Sequence, residues 1–506
     1  MSRVSSRRRR RGRGAADIPG ARPSTRRKIP AYELLDEASL VSLEQHAEWL
    51  LTEIGVEIRG DAEALRLFKE AGVSVDGERL RFDPGHVRAL CSTAPKNYTM
   101  HARDPQRNIE FGGDNLILGP AYGSPFVTDL KNGRRYGTVE DFQNFIKLTY
   151  MTPLLQHQSG TICEPVDVAV NKRHLDMVYA HLRYSDKPFM GSVTAPERAE
   201  DSLAMARIVF GEAFMQEHLV IQGNINVNSP LVYDDTMTAA LRTYAAANQG
   251  NVISSFILGG AMSPVTPAAL IAQAHAEVMV GIALTQLVRK GAPVVYGSFL
   301  TTMDLKTGAP TFGTPESSLT TMAISQLCRR LGLPFRCGGH LTASKVADAQ
   351  AMQESVDTMN PAIMAGANFI FQSAGWLEGG LTIGYEKFVM DLDHCGAILR
   401  MTQGLTIDAN ELAADAYLEA GIGSNFLGVA HTLRNYRTAN YRAELADTNS
   451  FEQWSEDGRK NTEQRAYERW NQMLSEYLPP EIDPAIDEAL LEFIARKKAS
   501  MADAWY

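Results

Sequence analysis

The stretch PFRCGGHLTASKVADAQ, from Pro334 to Gln350, combines several residue types that can do chemistry. Cys337 and His340 form a lone CxxH pair behind a short apolar run, whereas zinc sites use three or four ligands. The imidazole of His340 can instead make a hydrogen bond in a pocket, and Gly338 and Gly339 let a ligand approach the backbone closely. The sequence predicts His340 as the catalytic residue and predicts no tightly bound metal. A zinc ligand and a purely structural histidine stay open as alternatives.

The elements around this stretch follow a regular pattern from about residue 113 to residue 400. Apolar runs of strand length, such as LLQHQSGTI, alternate with helical segments that carry start signals. Thr138 and Asp141 form an N-cap pair, and Thr266 with Pro267 opens a long apolar helix. Eight such units predict an α/β fold, a (β/α)8 TIM-type barrel. An open doubly wound sheet is the competitor, but the sequence lacks its GxGxxG fingerprint.

The chain divides into four predicted parts. Residues 1–30 form a disordered basic tail, and residues 31–112 form an N-terminal cap of helices and small strands. The barrel occupies residues 113–400. Residues 401–506 form a C-terminal helical extension, where we expect the interface of a homo-oligomer.

Polar and aromatic residues end nearly every predicted strand, where barrel enzymes assemble their sites. The predicted substrate-binding residues are Tyr122, His157, Glu164, Asn224, Asn226, Tyr296, Gln372, Trp376 and Glu378. Amides, hydroxyls and rings dominate this set and arginine is scarce, so a phosphate fits poorly. Ring faces attract ammonium groups, so the set favours a cationic ligand.

Composition narrows the class of protein further. The content of 44% hydrophobic and 22% charged residues is typical of a soluble globular protein. Residues 1–28 carry eleven basic residues against one aspartate, which leaves a net charge of −19 for the rest of a chain whose total is −9. The acidic body argues against nucleic acid as the main ligand, and a non-catalytic binding protein that uses the basic tail is an alternative. The five cysteines are scattered and form no CxxC motif, and no stretch is apolar enough to span a membrane. Both features predict a cytoplasmic protein.

Several long blocks resemble the trimethylamine methyltransferase family of corrinoid-dependent methyltransferases. The blocks are FRCGGHLTASKVADAQAMQES, NFIFQSAGWLEGGLTIGYEKFVMD, ILGPAYGSPFVTDLKNGRRYGTVEDF and TPAALIAQAHAEVMVGIALTQLVRKGAPVVYGSF. They follow the family's order, and the resemblance extends from about residue 30 to residue 500. Archaeal members carry pyrrolysine, whereas this chain has only standard residues and resembles the branch that includes glycine betaine methyltransferases.

The resemblance implies methyl transfer from a quaternary or methylated, betaine-like amine. The expected acceptor is the Co(I) corrinoid (a cobalamin) carried by a partner protein. A quaternary ammonium releases a neutral tertiary amine, so this step needs no proton donor. The protein must then mainly enclose the cation and aim one methyl group. We expect His340→Ala to weaken substrate binding or demethylation tenfold or more.

Overall fold

A curled sheet of eight strands forms the centre of the molecule. In this computed structural model, which describes residues 25–505, seven strands run parallel and a short edge strand runs antiparallel. In spatial order the strands are Thr25–Arg26, Asn115–Leu118, Phe369–Phe371, Phe335–Gly338, Val294–Thr302, Gly250–Gly259, Ile221–Val227 and Phe189–Met190. Each parallel neighbour requires a crossover connection, which explains the alternation of strands and helices in the sequence.

Helices cover the outer face of this sheet. They are Val139–Met151, Arg173–Tyr184, Pro196–Phe210, Asp235–Ala246, Pro267–Val288, Pro315–Leu331, Ala349–Met364 and Tyr385–Met401. The predicted capping box of Thr138 and Asp141 is confirmed at the first of them. The helix Pro267–Val288 is long and apolar enough to cross a membrane, but 89% of its most apolar window is buried inside the molecule. Its apolarity therefore reflects a position between the sheet and the N-terminal elements.

The second predicted strand, LLQHQSGTI, is not a regular strand, so the expectation of eight regular parallel strands is wrong at this position. The backbone N–H groups of Gln156 and His157 both donate to the carbonyl of Leu118, and the side chain of Gln156 accepts from the N–H of Leu118. Ser159 has a φ of 57°, and its N–H donates to Nδ1 of His157. Side chains thus replace part of the strand ladder here. The segment still reaches the other edge of the sheet, because Gln158 donates to Pro188 and Met190 donates to Ser159.

Alternation along the strands separates an interior from an outer core. The inner cluster contains Met100, Ile109, Phe111, Ile117, Met190, Leu219, Val252, Val295, Phe369 and Phe371. Ile370, between the two phenylalanines, packs in the outer core with the helices. A second group, the mouth cluster, lies toward the carboxyl ends of the strands and contains Phe299, Phe312, Leu341 and Trp376.

Smaller elements flank the sheet. The N-terminal part contains the helices Glu37–Trp49, Leu50–Ile54, Ala62–Glu70 and His86–Cys91, and the strands Val56–Ile58, Ser74–Asp76, Arg79–Arg81, Tyr98–Met100 and Ile109–Phe111. The strands Phe126–Asp129, Gly133–Tyr136, Trp376–Leu377 and Thr382–Gly384 form a small sheet. The C-terminal helices are Ala409–Leu412, Ala414–Ala420, Ala430–Asn435, Phe451–Glu456, Thr462–Ser475 and Pro484–Ala499. Most of the predicted basic tail, residues 1–24, lies outside the described residues.

Candidate active site

A layer of buried polar side chains lines the interior. A Cβ atom on Gly223 would come within 2.7 Å of Tyr244 on the covering helix, so Gly223 faces outward and its neighbours Gln222 and Asn224 face inward. Oδ1 of Asn224 accepts a hydrogen bond of 3.4 Å from Ser254, and Nδ2 donates to Asn226 at 3.4 Å. Gln222 is fully buried, and neither polar atom of its amide has a hydrogen-bond partner within residues 25–505. This layer can therefore offer amide groups to a ligand.

Tyr122 joins the same layer. Its ring stacks on Phe371 of the inner cluster, with 5.9 Å between ring centroids. Burial raises the pKa of Tyr122 to about 12, so its hydroxyl stays protonated at neutral pH. Tyr122 can accordingly donate or accept a hydrogen bond but cannot act as a base.

Arg336 is the main interior residue that the sequence reasoning missed. Its guanidinium carbon lies 4.0 Å from the ring centroid of Phe371 and 5.5 Å from that of Phe299, so it sits between the inner and mouth clusters. The side chain is buried, and its Nη2 donates a long hydrogen bond of 3.4 Å to Gln372. Burial lowers the pKa of Arg336 to about 10, which leaves it charged at neutral pH. A charged residue in the apolar strand FRCG was the signal for an inward-facing arginine.

The mouth cluster closes the top of this layer with aromatic rings. Phe299 lies 5.4 Å from Phe312 and 5.7 Å from Trp376, and the latter two meet edge to face at 5.7 Å. Trp376 is 5% exposed, and its indole N–H has no hydrogen-bond partner among the described residues. Rings at these angles present both faces and edges, which suits a cation that bears methyl groups.

The loop that carries Gln372 and Trp376 is held from outside. Gln372 follows the last parallel strand with a φ of 53°, a conformation that costs a non-glycine residue energy and recurs at functional sites. Gly375 donates a hydrogen bond of 2.8 Å to Asp391 on the helix Tyr385–Met401, and Asp391 also pairs with Lys387 at 2.5 Å. Both members of this ion pair are fully buried. The helix therefore fixes the loop that positions the site.

His340 points toward this helix. Its Nδ1 lies 2.7 Å from the carbonyl of Ser373, and its Nε2 lies 2.7 Å from Nδ1 of His394. Burial, together with the nearby charge of Lys387, lowers the pKa of His340 to about 3. In this neutral state Nδ1–H donates to Ser373, and Nε2 accepts from His394. Both ring nitrogens are thus occupied within the protein, and catalysis by His340 stays a prediction.

Two other predicted site residues lie away from the polar layer. Tyr296 faces outward, where its hydroxyl lies 2.9 Å from Nδ1 of His275. His157 lies beside the inner cluster, 4.8 Å from the ring of Phe369. Burial lowers the pKa of His157 well below its usual value, so the ring is neutral.

The two predicted acids have basic partners. Glu164 forms an ion pair with Arg173, and burial raises the pKa of this carboxyl. Glu378 pairs with Arg134 at 2.8 Å and accepts a hydrogen bond from Thr382. Burial alone would raise the pKa of Glu378, but these hydrogen bonds outweigh it and the pKa lies below its usual value.

The zinc alternative requires further ligands beside Cys337 and His340. Within residues 25–505, no group of three or more histidine, cysteine or acidic side chains is placed to hold a metal ion. Cys337 packs in the outer core, and burial raises the pKa of its thiol to about 12. This donor set does not fit a tightly held zinc ion.

Comparison with known proteins assigns the chain to a family by its sequence. The family model for trimethylamine methyltransferase (MTTB) matches residues 2–502. A glycine betaine methyltransferase of Desulfitobacterium hafniense (strain Y51) is 38% identical over 470 residues, which cover 93% of this chain and 98% of that protein. A proline betaine:corrinoid methyltransferase of Eubacterium limosum is 27% identical over 413 residues, or 80% of this chain and 84% of that protein. The solved monomethylamine methyltransferase (MtmB) of Methanosarcina barkeri covers 88% of this chain and 95% of its own, with 10% identity and a TM-score of 0.47. The chain belongs to the trimethylamine methyltransferase family.

Proposed function

We propose that this chain transfers a methyl group from a quaternary amine of the betaine class to the corrinoid of a separate partner protein. The observation that carries this proposal is the mouth cluster, whose rings adjoin the buried polar layer through Phe299. Ring faces attract a desolvated quaternary ammonium by about 2 kcal/mol each. The family membership and the names of the glycine betaine and proline betaine relatives support the same reaction.

This reaction requires the protein to position the substrate rather than to act as an acid or a base. A quaternary nitrogen leaves as a neutral tertiary amine, so no side chain has to protonate it. Trp376 and Phe299 enclose the cation and exclude water, while Asn224 and the protonated Tyr122 hydrogen-bond to the rest of the substrate. Holding one methyl group toward the mouth makes the transfer effectively intramolecular once the partner has docked.

The rim of the mouth fits a docked corrinoid. When bound to its partner protein, the corrinoid supplies a cobalt nucleophile that accepts the methyl group. Phe256 lies within the strand Gly250–Gly259, whereas Val265 follows that strand and Leu305 follows its neighbour Val294–Thr302. The three side chains are 36%, 50% and 71% exposed. The ring of Phe256 stacks on Phe299 at 5.5 Å, so this apolar rim continues into the mouth cluster. An apolar rim of this kind suits the flat face of a macrocycle and the protein around it.

Four further proposals concern the architecture, the site, the location and the assembly of the protein. We propose that the sheet closes into a (β/α)8 barrel through the irregular segment 156–159. Its hydrogen bonds to Leu118 in the first parallel strand, and to Pro188 and Met190 at the last one in spatial order, support this proposal. The site residues Glu164, Asn226 and Glu378 surround the mouth of this barrel. The protein acts in the cytoplasm, and it forms a homo-oligomer through the C-terminal region, where Leu418 and Ile422 are exposed.

A methyl-transfer assay tests the proposed function. Purified protein is mixed with chemically reduced cobalamin and with glycine betaine or trimethylamine, and the loss of the Co(I) absorbance is recorded. We expect glycine betaine to consume Co(I) and trimethylamine to leave it unchanged. If no quaternary amine consumes Co(I), either with free cobalamin or with a corrinoid protein, the proposed function is wrong.

A further inference from the structure

Arg336 carries a buried positive charge for which residues 25–505 provide no counter-charge. Besides burial, the groups that shift its pKa are Cys337 and Tyr122, and neither is a carboxylate. Its Nε has no hydrogen-bond partner within residues 25–505, and its hydrogen bond to Gln372 is long. A guanidinium has five N–H donors, so most of its hydrogen-bonding capacity is unused. A buried cation without a partner is costly, and proteins retain one where a ligand completes the pair.

We infer that Arg336 binds the carboxylate of the substrate and thereby selects betaines over amines that lack an acid group. This inference rests on the proposed function and adds the recognition of the anionic end. The planar fork of arginine matches a carboxylate with two parallel hydrogen bonds. Gln372 holds the fork in place from the strained position after the last strand.

The location of Arg336 also sets the direction in which the substrate lies. Its guanidinium stacks on Phe371 of the inner cluster, whereas Phe299 links it to Trp376 at the mouth. In a betaine derived from an α-amino acid, one carbon separates the carboxylate from the quaternary nitrogen. A carboxylate at Arg336 therefore leaves the nitrogen beside Phe299 and Trp376, with a methyl group turned toward the mouth. An amine without an acid group meets an uncompensated positive charge in the same place and is repelled.

Calorimetric titration with two quaternary ammonium compounds tests the inference. The probes are glycine betaine and its methyl ester, which keeps the quaternary ammonium but lacks the negative charge. We expect the wild-type protein to bind the betaine at least 100-fold more tightly than the ester. Equal affinity for the two probes would overturn the inference, and this test requires no variant to fold.

Variants of Arg336 distinguish the contribution of the guanidinium fork to binding from that of the positive charge alone. Arg336→Gln should lower the affinity for glycine betaine about 100-fold and leave that for the ester unchanged or increased. Arg336→Lys keeps the charge but not the fork and should lose about tenfold. Arg66→Gln, at an exposed ion pair on the helix Ala62–Glu70, is the matched control and should bind as the wild type does. Betaine affinity of Arg336→Gln within threefold of the wild type would overturn the inference. Methyl transfer from tetramethylammonium but not from glycine betaine would overturn it too, while leaving corrinoid methyl transfer intact.

Discussion

Replacing His275 by glutamine should make the stability of the protein less dependent on pH. Nδ1 of His275 lies 2.9 Å from the hydroxyl of Tyr296, and both side chains are buried outside the sheet. Burial lowers the pKa of His275 to about 4, whereas the pKa of an imidazole in an unfolded chain is about 6.5. Between these two pKa values the unfolded state binds a proton on His275 and the folded state does not. The stability contribution of neutral His275 is therefore lost as the pH falls from the unfolded pKa toward the folded one.

The size of this effect follows from the two pKa values. A histidine that stays neutral in the folded state costs about 1.4 kcal/mol of unfolding free energy for each pH unit below its unfolded pKa. Between pH 7 and pH 5 the integrated loss is about 2 kcal/mol. His275→Gln removes this loss. The difference in unfolding free energy between wild type and variant should therefore be about 2 kcal/mol smaller at pH 5 than at pH 7.

Urea unfolding followed by tryptophan fluorescence at pH 7 and pH 5 measures this difference. Tyr296→Phe is the matched control, because it removes the hydrogen bond but keeps the titrating imidazole. It should lower stability by about 1 kcal/mol at both pH values. An identical pH dependence for wild type and His275→Gln would refute the neutral state of His275. Tyr296→Phe should also keep kcat/KM within twofold, and a tenfold loss would return Tyr296 to the substrate pocket.

Three further substitutions test the mouth cluster and the elements that support it. Trp376→Ala should lower kcat/KM for glycine betaine by about 30-fold, because it removes a cation–ring contact of about 2 kcal/mol. Trp376→Phe should keep most of the activity. Full activity of the alanine variant in the corrinoid-coupled assay would exclude the ring from the site. Asp391→Ala leaves the buried ammonium of Lys387 without its carboxylate, with only the hydroxyl of Ser355 as a hydrogen-bond partner, and should cost about 3–5 kcal/mol in urea unfolding. The double variant Asp391→Leu with Lys387→Met should recover much of this loss. Additive effects of the two single changes would argue against the buried pair. His340→Ala should lower demethylation tenfold or more through displacement of the loop after the last strand, and unchanged kinetics would remove His340 from any role in the site.

Much of the architecture could be predicted from the sequence because the signals were local. The capping box at Thr138 and the Thr266-Pro267 helix start depend on neighbouring residues, and the structure has both helices. The failure at LLQHQSGTI has a non-local cause. Gln156 and His157 use hydrogen bonds to Leu118, a residue far away in the chain, to replace the strand ladder. From the sequence alone, an apolar run that contains Gln156 and His157 has the pattern of a strand, because their hydrogen bonds to Leu118 are visible only in the fold.

The site was harder to predict because the direction of a side chain depends on its register in the curled sheet. Tyr296 and Phe299 belong to one strand, yet the first contacts His275 on a helix and the second lies in the mouth cluster. Arginine is scarce at the strand ends, and the interior arginine, Arg336, lies within the strand Phe335–Gly338 instead. A single charged residue in an apolar strand is a stronger signal for a ligand than a neutral polar residue beside a glycine-rich turn, because a charge costs far more free energy to bury.

The residues that stand out in the sequence around His340 support the site from behind. His340 binds the carbonyl of Ser373, and Asp391 binds the N–H of Gly375, so two contacts from outside the sheet fix one short loop. That loop presents Gln372 to the interior and leads directly into Trp376. Since the loop also holds a strained φ at Gln372, it needs support that the strand itself cannot give. Reactive side chains such as His340 and Asp391 can therefore support a site from outside the sheet, while plain amides, rings and a single guanidinium line its interior.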